Sequence, residues 1–159
     1  MPPRYVLPLP AAWLDTLPAE IRWASVAFQR KTELHLTVCG RALRAQIATL
    51  ATRDAVLRRL DRFAADVRPS LAAARTGRCV HLRDGLEQSV AELLELPMMA
   101  DLYSDLDALG VVVGDPVPHV TLYVHQSPGG IGVAHRQDLA RLQVGPTLSL
   151  ADLTDAGPL

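Results

Sequence analysis

The tetrapeptides His35-Leu36-Thr37-Val38 and His119-Val120-Thr121-Leu122 share one pattern: histidine, apolar, threonine, apolar. Each lies in a stretch that reads as a β-strand. Successive side chains of a strand alternate between its two faces, so residues i and i+2 point the same way. His35 and Thr37 are therefore expected on one face, and His119 and Thr121 on one face. Leu36, Val38, Val120 and Leu122 are expected on the opposite, core-directed faces. The chain has five histidines, and two of them fall in this pattern 84 positions apart in 159 residues. Such a repeat suggests two similar lobes that each contribute half of one site.

A chain of 159 residues suits a single domain, here 1–159, built as two lobes without a linker. Hydrophobic residues make up 49%, enough for a packed interior. The formal net charge of −1 and a pI near 6.5 lack the basic surface of a protein that tracks a long phosphate backbone. A nucleic-acid partner would be short, or a terminus. No apolar run approaches the roughly 18 residues that span a membrane. Met1-Pro2-Pro3-Arg4 leads into a segment broken by Pro8 and Pro10, which does not read as a secretory leader. A cytoplasmic, monomeric protein is expected, with Cys39 and Cys79 as buried thiols.

The hydrophobic pattern predicts strands over 5–7, 22–28, 33–39, 78–83, 88–96, 117–125 and 147–153. Helical turns are expected over 11–17, with Trp13 and Leu17 inward. Helical spacing continues over 41–67, divided if Thr52 caps a second helix, and stops at Pro69. Asp84-Gly85 reads as a hairpin turn. The return limb has poor alternation and leaves a helix as its alternative. Pro97 suits the first turn of a helix whose inner face carries Met98, Leu102, Leu106 and Leu109, ending at Gly110. Ser127-Pro128-Gly129-Gly130 reads as a loop, with a short helix before Leu142.

Two histidines and two hydroxyls facing one cleft suit phosphodiester chemistry. A base must activate water, an acid must protonate the departing ribose oxygen, and donors must hold the phosphoryl oxygens. Histidine serves either of the first two roles because its ordinary pKa lies near neutrality. Threonine hydroxyls serve the third without adding charge. No cluster of metal-ligand residues stands out, so neither a metal nor a cofactor is expected.

The paired His-x-Thr motifs, their separation and the strand and helix order around each resemble the 2H phosphoesterases. These include bacterial 2′-5′ RNA ligase-like proteins and 2′,3′-cyclic nucleotide phosphodiesterases. The likeness runs from Tyr5 to about Leu153. Pro118-His119-Val120-Thr121-Leu122-Tyr123, followed by Gly130-Ile131-Gly132-Val133, resembles an uncharacterised bacterial branch of that superfamily. The resemblance implies an α+β, bilobal, pseudo-twofold fold, with two antiparallel sheets around a central groove and helices outside. It implies His35, Thr37, His119 and Thr121 as the catalytic set.

Strand parity places further residues. Tyr123 and His125 would share the face of His119, where Tyr123 can bond phosphate, stack on a base or simply form groove wall. If Val80 and Leu82 face the core, Cys79, His81 and Arg83 face the groove, and Arg83 can neutralise phosphate. The plainer readings are a hydrogen-bonded strand histidine for His81, a solvated strand end for His125 and an edge arginine for Arg83. Arg53, Arg58, Arg59 and Arg62 read as a solvated helix face paired with Asp54 and Asp61.

The function expected is a metal-independent phosphodiesterase, acting on a cyclic or 2′-5′ phosphodiester of a small nucleotide or RNA terminus. A non-catalytic nucleotide-binding module and an RNA end ligase are the alternatives.

Overall fold

The computed structural model describes residues 4–126 and 128–155. Ser127 of the expected loop and the first three residues of the chain lie outside the described residues. In chain order the elements are β1 (Val6–Pro8), α1 (Ala12–Asp15), β2 (Glu20–Trp23), β3 (Val26–Arg30), β4 (His35–Thr37), α2 (Arg41–Thr49), α3 (Arg53–Asp66), β5 (Arg75–Asp84), β6 (Glu87–Leu94), α4 (Pro97–Ala108), β7 (His119–His125), α5 (Arg136–Leu142), β8 (Leu148–Ser149) and α6 (Leu150–Asp155). Two short 3-10 turns lie between α3 and β5. The fold is α+β with antiparallel sheets. A two-stranded sheet pairs β1 with β4, and a six-stranded sheet runs β2-β3-β7-β6-β5-β8. Among the described residues no helix is long and apolar enough to cross a membrane.

Two of the expected strands are built differently. The stretch read as one strand over 22–28 is a hairpin, β2 and β3, folding at Ala24 and Ser25 with φ of 48° and 64°. Neither residue carries a turn signal, because left-handed backbone costs a non-glycine residue about 1–2 kcal/mol. Tertiary pairing overrides that local preference. The last expected strand shrinks to two residues and continues as α6, which packs Leu153 into the core. Over 41–67 the helix does divide, but the Thr52 hydroxyl donates to Leu109 O at 2.5 Å instead of capping α3.

Both faces of the large sheet are covered around β5 and β6. The main core joins α2, α3 and α4 to Phe28, Cys79, Val90, Val120, Leu122 and Tyr123. A second core lies on the other face, where Val80, Leu82 and Ala91 meet Val117, Ile131, Val133 and Leu142. Double coverage explains why alternation fails in β6: Ser89, Val90, Ala91 and Glu92 are all buried. Buried Glu92 is held in a two-pronged ion pair by Arg75, at 2.8 and 3.1 Å, and the Arg75 guanidinium lies over the Trp13 ring. Removing one partner would leave an uncompensated buried charge.

A β-bulge in β7 decides which residues reach the groove. Val90 pairs with Tyr123, whereas the next residue of β6, Ala91, pairs with Thr121, so Leu122 is an extra residue in β7. A one-residue slip sends every later side chain to the opposite face. His119 and Thr121 pair with Leu93 and Ala91 on the second-core face. Beyond the bulge Tyr123 is fully buried in the main core, and its hydroxyl donates to Pro18 O at 2.9 Å. Burial pushes that phenol up to about 12.

Tyr123→Phe therefore removes a buried hydrogen bond and nothing from the groove. The expected cost is about 1 kcal/mol in denaturant unfolding, with the His119 ring resonances unmoved. Shifted His119 resonances without loss of stability would return Tyr123 to the site.

Candidate active site

The two motif strands lie against each other where the small sheet meets the large one, β4 beside β7. Their alternation is as the pattern predicts. Leu36, Val38, Val120 and Leu122 are buried, His35 and Thr37 are exposed, and His119 and Thr121 are partly exposed. The motifs are thus brought together from different sheets, with their polar faces accessible.

The two histidines differ in how they are held. His119 Nδ1 lies 2.7 Å from Val117 O. A carbonyl only accepts, so Nδ1 carries the proton and Nε2 is left with its lone pair. Desolvation lowers the His119 pKa from its ordinary value, the Val117 bond opposes that shift, and the His35 charge adds to the lowering. Among the described residues none hydrogen-bonds the His35 ring. Burial lowers its pKa too, Lys31 lowers it further, and Glu33 pulls it back. Both rings are thus biased toward the neutral form, and His119 feels the charge of His35.

Lys31 enters the site through the backbone. Its N–H donates to Leu122 O at 2.9 Å, at the bulge, and its Nζ donates to Pro128 O at 2.9 Å. The second bond ties the segment after β7 beside the motif. In that segment Gly130 approaches Thr121 so closely that a Cβ there would lie 2.8 Å from Thr121 Cγ2 and 3.2 Å from its Oγ1. Gly130 also has φ +79°, which side-chain-bearing residues rarely adopt. The glycine lets the loop pack onto the threonine.

Thr37 and His119 line a pocket of about 350 Å³. Its remaining wall comes from Val38, the start of α2, Tyr103, the segment before β7, residues 132–135 and Asp138, and neither His35 nor Thr121 lines it. Gln46 fixes the middle segment with both ends of its amide, donating to Val112 O at 3.1 Å and accepting from Val112 N–H at 2.9 Å. The Tyr103 hydroxyl donates to Val38 O at 2.8 Å, pinning α4 to the first motif.

The other residues expected at the groove are elsewhere. His81 pairs with Val90 and so faces the main core, where its ring meets the edge of Phe28 and its Nε2 lies 2.7 Å from Gln88 Oε1. The parity argument assumed one buried face for β5, and β5 has two. Arg83 is exposed near the hairpin end and donates to Gly85 O at 3.1 Å. Tyr123 and His125 lie past the bulge, and His125 Nδ1 lies 2.9 Å from Ala27 O. Sequence reasoning passed over Lys31, which carried no signal, and read Gly130 only as a loop residue and as part of the segment after the second motif. A broad surface depression along Arg58, Arg59, Arg62 and Asp105 lies between α3 and α4 and is not lined by either motif. Among the described residues no three His, Cys, Asp or Glu side chains converge as metal ligands would.

No family model, curated protein or solved structure matches this chain.

Two outcomes follow from this geometry. Gly130→Ala combines a positive φ with a contact on Thr121, so it should cost about 1–2 kcal/mol and shift the Thr121 methyl resonance. An unshifted methyl and unchanged stability would show that the loop does not bear on the threonine. The second outcome concerns pH. Both histidines have folded pKa values below the ordinary 6.5, so the unfolded chain binds more protons under acidic conditions. Their contribution to stability is fully present above about pH 6.5 and is lost as pH falls through the folded values. Thermal unfolding should therefore fall in temperature below about pH 6.5, and His119→Gln should flatten part of that fall. An identical slope in the variant would show that His119 is not desolvated.

Proposed function

We propose that this protein is a phosphodiesterase of the 2H type, which opens a cyclic or 2′-5′ phosphodiester on a nucleotide or RNA end by histidine acid–base catalysis. The observation that carries this reading is the pairing of two differently held histidines, His119 locked with Nε2 free and His35 exposed and unbonded, across β4 and β7. The resemblance of the two His-x-Thr motifs, and two antiparallel sheets meeting at those motifs, are consistent with the bilobal 2H plan.

On a 2′,3′-cyclic phosphate the steps follow from those states. Water attacks phosphorus while His119 Nε2 takes its proton, and the new P–O bond forms. The bond from phosphorus to one ribose oxygen breaks, and protonated His35 gives its proton to that oxygen. Thr37 and Thr121 donate hydrogen bonds to the phosphoryl oxygens, where charge builds. The products are a nucleoside monophosphate, protonated His119 and neutral His35, which reset by exchange with solvent. Both imidazoles are biased neutral in the free protein. The substrate anion supplies the opposing field that raises His35 into its acid form, and His35 meets the lower desolvation cost because it is exposed. Every role is filled by a side chain, so the step as written uses no metal.

The test is hydrolysis of a panel of 2′,3′-cyclic mononucleotides and 2′-5′ oligoadenylates with chelator in excess. Turnover should persist and follow a bell-shaped pH profile, and His35→Ala and His119→Ala should each lower it on the order of 10²-fold or more. With an activated leaving group that needs no acid, His35→Ala should recover much of its lost rate and His119→Ala should not. Loss of activity in chelator, restored by a divalent ion, would replace this mechanism. Tight nucleotide binding without turnover would favour the binding-module reading.

A further inference from the structure

A phosphodiester carries a negative charge, and more gathers on its phosphoryl oxygens as water attacks. The groups assigned so far answer it with two hydroxyls and two imidazoles that are biased neutral in the free protein. Arg83, the cation expected from the sequence, lies near the hairpin end and donates to Gly85 O. A charged donor binds an anion roughly twice as strongly as a neutral one, so a cation on the motif face would bear directly on substrate binding.

Lys31 is placed on that face by two separate contacts. It follows β3 directly, and its N–H donates to Leu122 O at 2.9 Å, one residue past the Arg30–Tyr123 pair. Arg30 and Tyr123 turn toward the main core. The Arg30 guanidinium donates to Leu14 O and Leu17 O, at 3.1 and 2.6 Å, and the Tyr123 hydroxyl donates to Pro18 O in the same stretch. Side chains alternate along an extended chain, so Lys31 is directed to the opposite face. Its tip agrees: Nζ donates to Pro128 O at 2.9 Å, two residues before the glycine that packs on the Thr121 side chain. The lysine charge also acts on the His35 ring, as does that of Glu33. Lys31 therefore stands between the two motifs.

The ammonium has donors to spare. It carries three N–H groups, and Pro128 O takes one. Among the described residues no carboxylate pairs with it, Glu33 included, whereas Arg4, Arg59 and Arg75 each have one. The bond to Pro128 already fixes the long side chain, so the remaining donors are aimed without a further large loss of rotamer freedom.

We infer that Lys31 is the phosphate-binding cation of this site: with one N–H on Pro128 O, it donates another to a phosphoryl oxygen of a diester held between His35 and Thr121. This rests on the reading of the two motifs as a diester site and adds a substrate-binding residue to it. Lys31 holds the anion by charge and leaves both proton transfers to the histidines.

Lys31 is the single lysine of the chain, so isotope-labelled lysine gives one ammonium signal. Titration with inorganic phosphate should shift that signal together with the His35 and His119 ring resonances, at one dissociation constant. Lys31→Met keeps the stem without the charge. It should raise that constant, and the KM for a 2′,3′-cyclic mononucleotide, at least about tenfold, a difference of about 1.4 kcal/mol. Lys31→Arg should recover most of both. A lysine that only tethers the loop predicts a displaced Thr121 methyl in Lys31→Met and a parent ammonium unmoved by phosphate, which overturns the inference. An ammonium that responds while both rings stay unmoved places the anion elsewhere and overturns it too. An unmoved ammonium, or an unchanged KM in Lys31→Met, beside a working diesterase removes Lys31 and leaves the reaction intact. A joint response of ammonium and rings without turnover of any cyclic substrate keeps Lys31 as the anion's ligand although the diesterase reading has failed.

Discussion

One extra residue in β7 sets the arrangement of everything around it. Without Leu122 as a bulge, His119, Thr121, Tyr123 and His125 would share one face, and a tyrosine and a third histidine would crowd the groove. With it, the strand presents His119 and Thr121 on one side and sends Leu122 and Tyr123 into the main core. The bulge also supplies a contact of its own, because Leu122 O accepts the Lys31 N–H. That bond brings the lysine whose Nζ ties down Pro128, next to the glycine that packs on Thr121. A local irregularity in hydrogen bonding thereby separates the face that carries His119 and Thr121 from the packed one.

The energetics of the site run against protonation. Desolvation is the leading cause of the lowered pKa at both His35 and His119, and each feels an additional positive neighbour. A pair of neutral imidazoles is well placed to take a proton from water and poorly placed to give one. In the proposed reaction the missing proton is recruited by the substrate's negative charge. The site is then incomplete until an anion arrives, which favours anionic substrates.

Much of this was legible in the primary structure, for reasons that can be traced to particular residues. The alternation of His35 through Val38 and of His119 through Leu122 gave the polar and apolar faces directly, because the register of β7 shifts only at Leu122, where the second stretch ends. Helices α3 and α4 were readable because their apolar spacing holds over several turns. What was not legible depends on contacts between distant segments. The bulge at Leu122 exists only because β6 and β7 pair in a shifted register, which β7 alone does not encode. His81 and Arg83 were assigned to the groove on the premise that β5 has one buried face. The second core, formed by Val117, Ile131, Val133 and Leu142, removes that premise. The turn at Ala24 and Ser25 lacks every residue that favours positive φ, and so was invisible to turn chemistry.

The repeat itself hides an asymmetry that the proposed chemistry requires. The same four-letter pattern is placed once on a three-residue strand of a two-stranded sheet and once on an interior strand of a six-stranded sheet. The first context leaves His35 exposed and without a bonded partner. The second buries most of His119 and provides Val117 O to fix its tautomer. Two identical histidines in identical surroundings would have equal proton affinities, and neither would be committed to giving or taking. Unequal sheets break that degeneracy. The fixed ring, whose lone pair is aimed and whose charged form is costly, is suited to accept a proton only while an anion is present to stabilise the result. The exposed ring can hold a proton at lower cost and lose it to a leaving oxygen. A division of labour between acid and base can therefore arise from where each strand sits, with no difference in the motif that carries it.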